Sequence, residues 1–249
     1  MAPTIDVSEE GGVRYLHFGS RWIQGAMRIA RPNVLELDYT RDMMFPLLLR
    51  TGAWPRTVLL VGLGAASLTR FLWKHRPRAA QTVVEIEPGV IAAARQFFRL
   101  PEEGARLRIE IADGADYVAY AEREFDLILV DGYDAKGRTG PLDTLPFYCN
   151  AQARLSPRGL LAANLLTRNH GIRGSLERMR AGFAGRAIAL PACASGNVVI
   201  VAAAGEPIEV DGVELVRRAR RLRADTGLDL VPTVNRLRAT LDGDGGLRL

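Results

Sequence analysis

Two rhythms of apolar and polar positions run along the chain. Short, mainly apolar runs at residues 58–61, 125–130 and 160–165, interrupted only by Asp126 and Asn164, have the length of strands buried on both faces. Between them apolar residues recur at helical spacing, as at Leu68, Phe71 and Leu72. In chain order the pattern predicts a loose start over residues 1–10. Two short strands then fall within 13–27, joined by a turn at Gly19-Ser20, and a third strand lies over 34–38. A helix over 39–49 has Met43, Met44, Leu47 and Leu48 on its apolar side and an awkward interior Pro46. Strands and helices alternate from there: strand 58–61, a helix from Leu68, strand 82–86, helix 88–98 opened by Pro88, strand 107–111, helix 115–121, strand 125–130, helix 144–155, strand 160–165 and helix 175–183. Pro157-Arg158-Gly159 reads as the turn before the fifth of these strands. No helix fits between 186–190 and 197–203, so these two strands should form an antiparallel hairpin. Helices over 213–226 and 232–241 and a frayed stretch over 242–246 complete the pattern.

The turn Gly62-Leu63-Gly64-Ala65-Ala66-Ser67 joins the first apolar strand to its helix, and Glu85 follows roughly 20 residues on, at the end of the next strand. Glycines there let a ligand lie against the backbone, the following helix offers free N–H groups, and the acid can accept ribose hydroxyls. The motif fits two ligand classes, a dinucleotide such as NAD(P) or FAD, and S-adenosylmethionine or a relative. Five βα units ending in a reversed hairpin match the second: an α/β, Rossmann-like S-adenosylmethionine-dependent transferase fold with a mostly parallel sheet. A small N-terminal β element over residues 1–38 precedes this nucleoside-binding domain over 39–249.

Ligands of such sheets bind beyond the carboxyl ends of the strands. Those ends carry Glu85 and Glu87, Asp113-Gly114, Asp131-Gly132-Tyr133-Asp134, and Asn164, an acidic rim almost without bases. It suits a ligand with hydroxyls, an exocyclic amine and a positive sulfonium, and it suits a pyrophosphate poorly, which disfavours a dehydrogenase. Glu87 reads as a helix-dipole partner of the segment opened by Pro88. Asp113 is either a helix cap or an acceptor for an adenine amine. Asp131 ends an apolar strand, where a carboxylate without a task would cost stability. Asp134 is either a turn residue or part of the site.

Composition changes little. Of 249 residues, 48% are hydrophobic and 24% charged, ordinary values for a soluble globular protein. No apolar run is long enough for a membrane span, and the N-terminus lacks the apolar core of a secretory signal. The net charge of +5 comes from scattered arginines, densest at Arg217, Arg218, Arg220, Arg221 and Arg223, a solvated helix face rather than a nucleic-acid site. Cys149 and Cys193 lack metal-ligand spacing and suit a reducing cytoplasm. No metal site is expected.

The segments VLLVGLGAASLTRFL, VVEIEP, IADGADYV, FDLILVDGYDAKG and LLAANLL, with WIQGAM ahead of them, resemble the spermidine synthase family, the polyamine aminopropyltransferases, in its bacterial spermidine synthase-like branch. The resemblance covers about residues 15–205. It implies transfer of an aminopropyl group from decarboxylated S-adenosylmethionine, a co-substrate rather than a tightly bound cofactor, to an amine such as a polyamine. It also implies a homodimer. Carried over motif by motif, Gln24, Gly62, Gly64, Glu85, Asp113 and Gly114 would bind the nucleoside. Asp131 would be catalytic, and Tyr39 and Asp134 would hold the acceptor. The chain departs from the family at several points. Ala65 or Ala66 stands where the glycine loop normally has a donor-binding aspartate, Tyr39-Thr40-Arg41 retains only the tyrosine of its motif, and Arg41 would repel a polycation. Asp134-Ala135-Lys136-Gly137 and Asn164-Leu165-Leu166 also differ from the family pattern. Two other readings follow from these losses: a methyltransferase using intact S-adenosylmethionine, and a non-catalytic adenosyl-ligand binder.

Overall fold

The computed structural model describes residues 4–20, 22–133, 137–166, 171–241 and 246–249. The chain opens with a three-stranded antiparallel sheet, β1 (Ile5–Glu10), β2 (Val13–Phe18) and β3 (Ile23–Arg28). The expected loose start is therefore corrected to a strand. In β1 only Ile5 and Val7 pack on the core, and the rest of the strand is polar. Its signal is the Gly11-Gly12 pair, both at positive φ, in a two-residue turn between the paired Glu10 and Val13.

The strand expected over 34–38 is not formed; that segment turns into α1 (Asp38–Asp42). The single helix expected over 39–49 is broken. After α1 the chain reforms as a 3-10 turn, Phe45–Leu48, with Pro46 in its first positions, where its missing N–H costs nothing.

The large sheet follows the predicted alternation. Its parallel strands are β4 (Thr57–Val61), β5 (Ala80–Glu85), β6 (Leu107–Ile111), β7 (Phe125–Val130) and β8 (Leu155–Leu166). Helices α2 (Ser67–His75), α3 (Pro88–Phe97), α4 (Gly114–Tyr120) and α5 (Leu145–Ala153) connect them, and α6 (Arg173–Gly182) follows β8. The predicted hairpin is present as β9 (Ala187–Ala189) and β10 (Asn197–Ala203). The order is β6-β5-β4-β7-β8-β10-β9, with β10 antiparallel to both its neighbours. The turn expected at 157–159 lies inside β8: Phe125 pairs Leu155 but Leu127 pairs Leu160, so β8 bulges outward between them.

Side chains alternate between two cores, as the pleat requires. Val58 and Leu60 of β4, Leu127 and Leu129 of β7, and Val199 and Val201 of β10 join one core with the N-terminal sheet, α2 and α3. Leu59, Val61, Ile128, Val130 and Ile200 join the other with α4, α5 and α6. The first core is closed by α7 (Gly212–Thr226) and α8 (Val231–Arg238). A two-stranded pair, β11 (Glu209–Val210) with β12 (Leu247–Arg248), was not expected from the sequence. On α7, Arg217, Arg220, Arg221 and Arg223 are exposed, and Arg217 and Arg223 pair with Glu214 and Asp229, a solvated face as expected.

Candidate active site

Strand order reverses direction at β4, which has β5 on one side and β7 on the other, and this switch point opens the crevice where such folds bind ligands. The glycine turn lies at its centre. Gly62 has φ +96°, and a Cβ there would lie 2.3 Å from the carbonyl oxygen of Asp131. The turn is thus threaded between β5 and β7 with no room for a side chain. Glu85 is buried, and its carboxylate accepts the N–H of Leu63 at 2.9 Å and of Glu87 at 3.0 Å. Burial raises its pKa above the usual carboxylate value, while those backbone N–H groups pull it down. Glu85 therefore holds the turn in shape and keeps lone pairs for hydroxyl donors.

The N-terminal sheet reaches this turn directly. A Cβ on Gly25 would lie 2.6 Å from the Cβ of Ala65, the Gln24 carbonyl is close to Gly64, and Ser67 Oγ donates to the Ala26 carbonyl at 2.9 Å. Ala65 is buried in this contact, so a carboxylate there would displace β3, and Ala66 beside it is also buried. Asp113 caps α4, accepting from Ala115 N at 2.7 Å and Asp116 N at 3.3 Å. Leu142 lies against Gly114 and Gly132, and Ile86, 58% exposed at the rim, offers a second apolar face. Sequence reasoning missed both residues, because each looks like ordinary core material until its place at the rim is known.

Across the turn sits Asp131. Its Oδ1 accepts from Asn164 Nδ2 at 2.9 Å. Burial pushes its carboxyl up to about 6, against the hydrogen bonds from Asn164 and Tyr39 that hold it down. Tyr39, on α1, is raised by burial and by the Asp131 charge, so its phenol stays protonated. Tyr133 donates to the Asn164 carbonyl at 2.6 Å. Arg41, expected to repel a polycation, pairs its guanidinium with Asp38 at 2.9 Å and donates to the carbonyls of Leu35 at 3.0 Å and Glu36 at 2.7 Å. Asp134 lies outside the described residues. Asn197, also missed, donates to Asn164 Oδ1 at 2.9 Å. Among the described residues no cluster of His, Cys, Asp and Glu could hold a metal ion, and no helix is long and apolar enough to cross a membrane.

A parallel sheet with an inserted antiparallel strand, a glycine turn at its switch point and carboxylates around one rim define a Rossmann-like fold of the S-adenosylmethionine-dependent transferase class. Within that class, the spermine/spermidine synthase domain profile matches residues 37–181. The chain is 40% identical over 238 residues to a polyamine aminopropyltransferase of Chromobacterium violaceum, covering 96% of this chain and 90% of that one. A polyamine aminopropyltransferase of Neisseria meningitidis is 37% identical over 243 residues, covering 98% and 92%. A solved probable spermidine synthase from Corynebacterium glutamicum shares the fold with a TM-score of 0.71 at 17% identity, covering 90% of this chain and 91% of that one. The chain belongs to the spermine/spermidine synthase family.

Proposed function

We propose that the protein transfers an aminopropyl group from decarboxylated S-adenosylmethionine to an amine of the polyamine class. The observation that carries this reading is the recessed Asp131, with its pKa lifted to about 6, next to the glycine turn of a nucleoside site. An amine attacks only when neutral, and a carboxylate titrating near neutrality is suited to take its proton. The nitrogen lone pair forms a bond to the methylene next to the sulfonium. The carbon–sulfur bond breaks with its electrons on sulfur, leaving the neutral thioether methylthioadenosine and a secondary ammonium that keeps its own proton, while Asp131 releases to solvent the proton it took from the attacking amine. The sulfonium is already an activated leaving group, so the protein's main task is alignment.

In this reading Glu85 accepts the ribose hydroxyls, and Asp113 uses its second oxygen, with Gly114, for the adenine. Gln24, Gly62 and Gly64 shape the wall between them. Tyr39 and Asp134 hold the acceptor. The self-contained ion pairing of Arg41 supports acceptance of a cation in spite of the altered motif. Relatives matched along nearly the whole chain favour aminopropyl over methyl transfer. The homodimer and the cytoplasmic location remain part of the proposal, the latter in keeping with two unbridged cysteines.

Calorimetric titration with S-adenosylmethionine, its decarboxylated form and methylthioadenosine tests the donor, and a polyamine screen tests the acceptor. Tighter binding of the decarboxylated donor and formation of a longer polyamine are expected. Preference for intact S-adenosylmethionine would overturn the assignment.

A further inference from the structure

Beyond Asp131 lies a hydrogen-bond chain whose members come from both strands flanking the site's edge. Ser195 Oγ donates to Asn197 Oδ1 at 2.7 Å, Asn197 Nδ2 to Asn164 Oδ1 at 2.9 Å, and Asn164 Nδ2 to Asp131 Oδ1 at 2.9 Å. Asn164 and Asn197 are both buried. The direction of the chain follows from its end. An ionised carboxylate can only accept, so Asn164 must turn its amide nitrogen to Asp131 and its oxygen away. That oxygen then needs a donor, which Asn197 supplies, and the oxygen of Asn197 in turn needs the Ser195 hydroxyl. If every link were reversed, the Ser195 proton would face the Cys193 sulfur at 3.1 Å, a weak acceptor.

We propose that Asn197, set by Ser195, is a positioning residue for the transfer reaction: it holds Asn164 in the one amide orientation that donates to Asp131, and so keeps the base ionised. The proposal rests on Asp131 being the acceptor-side base. It gives a physical reason for two buried amides side by side on β8 and β10, where paired apolar side chains would pack without a polar cost. The ionisable groups facing the carboxylate among the described residues are Tyr39 from α1 and Tyr133 from the segment after β7. Cys193 faces Tyr39 from the segment before β10. Burial raises both tyrosines, so neither charges near neutrality and neither duplicates the work of the amide chain.

The test is the titration of the Asp131 carboxyl carbon by NMR in ligand-free protein labelled at aspartate, assigned by the resonance missing in Asp131→Asn. Wild type should titrate near 6. Asn197→Ala should move the midpoint up by about half a unit to one unit, because a donor to the charged form is loosened. Asn197→Asp has the same shape but cannot donate when ionised, and it should move the midpoint furthest. Ser195→Ala, at an exposed position, should give a smaller shift of the same sign. In turnover assays the acid limb of the kcat profile should move with the carboxyl midpoint, with KM for the donor unchanged. An unmoved Asp131 midpoint in folded Asn197→Ala and Asn197→Asp would overturn the proposal. Should those two not fold, an unmoved midpoint in Ser195→Ala would do so. Failure of the wild type to transfer aminopropyl would strike the proposed function and leave the carboxyl titration standing as a separate result.

Discussion

At the scale of single residues the site is a set of buried acids with different tasks. Asp131 carries a cost. Its carboxyl rises from an ordinary 3.8 to about 6, so the ionised form weighs against the folded state above 6, and the penalty vanishes below 3.8. Asp131→Asn should therefore stabilise the protein at about pH 8 by roughly 1–3 kcal/mol, and urea unfolding should show the gain shrinking as pH falls through that window. The same variant should lose at least about 100-fold in kcat while holding methylthioadenosine within about twofold of wild type. Full activity would remove Asp131 from the chemistry. Glu85 behaves differently, because backbone N–H groups occupy both of its oxygens. Glu85→Gln turns one accepting oxygen into an amide that faces a donor. Calorimetry should show nucleoside binding weakened about 10-fold or more. Of these residues, Glu85 and Asp131 were legible in the sequence because acids directly after apolar strands are conspicuous. Asn164 was visible only as a strand-end residue, and Asn197 was not visible at all.

At the scale of elements the reason for that blindness is strand direction. Asp131 continues the face of Leu127 and Leu129, and Asn164 that of Leu160 and Ala162. Asn197 lies at the start of its strand, which in a parallel strand would be the far end of the sheet. Because β10 runs antiparallel and pairs Val199 with Asn164, its first residue arrives at the carboxyl rim. The hairpin could be predicted; its insertion beside β8 could not. The N-terminal sheet gives a second case. Its strands β2 and β3 were foreseen, but their seat on the glycine turn depends on Gly25 meeting Ala65, 40 positions further along the chain, a contact made by the fold and not by sequence neighbourhood. Gly25→Ala should push β3 from the turn, lower the melting temperature and weaken nucleoside binding several-fold, as read by thermal unfolding and calorimetry. Unchanged affinity would show that the sheet is only a neighbour of the site. Pro46 and the bulge in β8 mark the limit of periodicity as a guide, since each interrupts an element without changing the apolar pattern around it.

At the scale of the whole molecule, one sheet separates two cores, and only the first is roofed by the N-terminal sheet and the late helices. Asp42 of α1 is buried and accepts from Thr233 of α8, so the helix that carries Tyr39 is anchored to the far end of the chain. The last residues share in this roof: Leu247 is buried, and Leu249 exchanges both backbone hydrogen bonds with Ile208 at 2.8 and 3.0 Å. Removing residues 247–249 should cost about 2–4 kcal/mol in urea unfolding through lost burial and strand pairing. A loss below about 0.5 kcal/mol would show that β12 is an ornament on an already stable core.

By itself the sequence determined the alternation of strands and helices, the glycine turn, the acidic rim and the reversed terminal hairpin. These are local facts: apolar runs, glycine spacing and acids at strand ends are set by neighbours along the chain. Only the tertiary structure decided that β10 lies between β8 and β9, that β3 covers the glycine turn, that Arg41 spends its charge on its own helix and its carbonyl neighbours, and that Asn197 stands behind Asn164. Those contacts join segments far apart in sequence, and their geometry follows from sheet order and strand direction, which local periodicity does not encode.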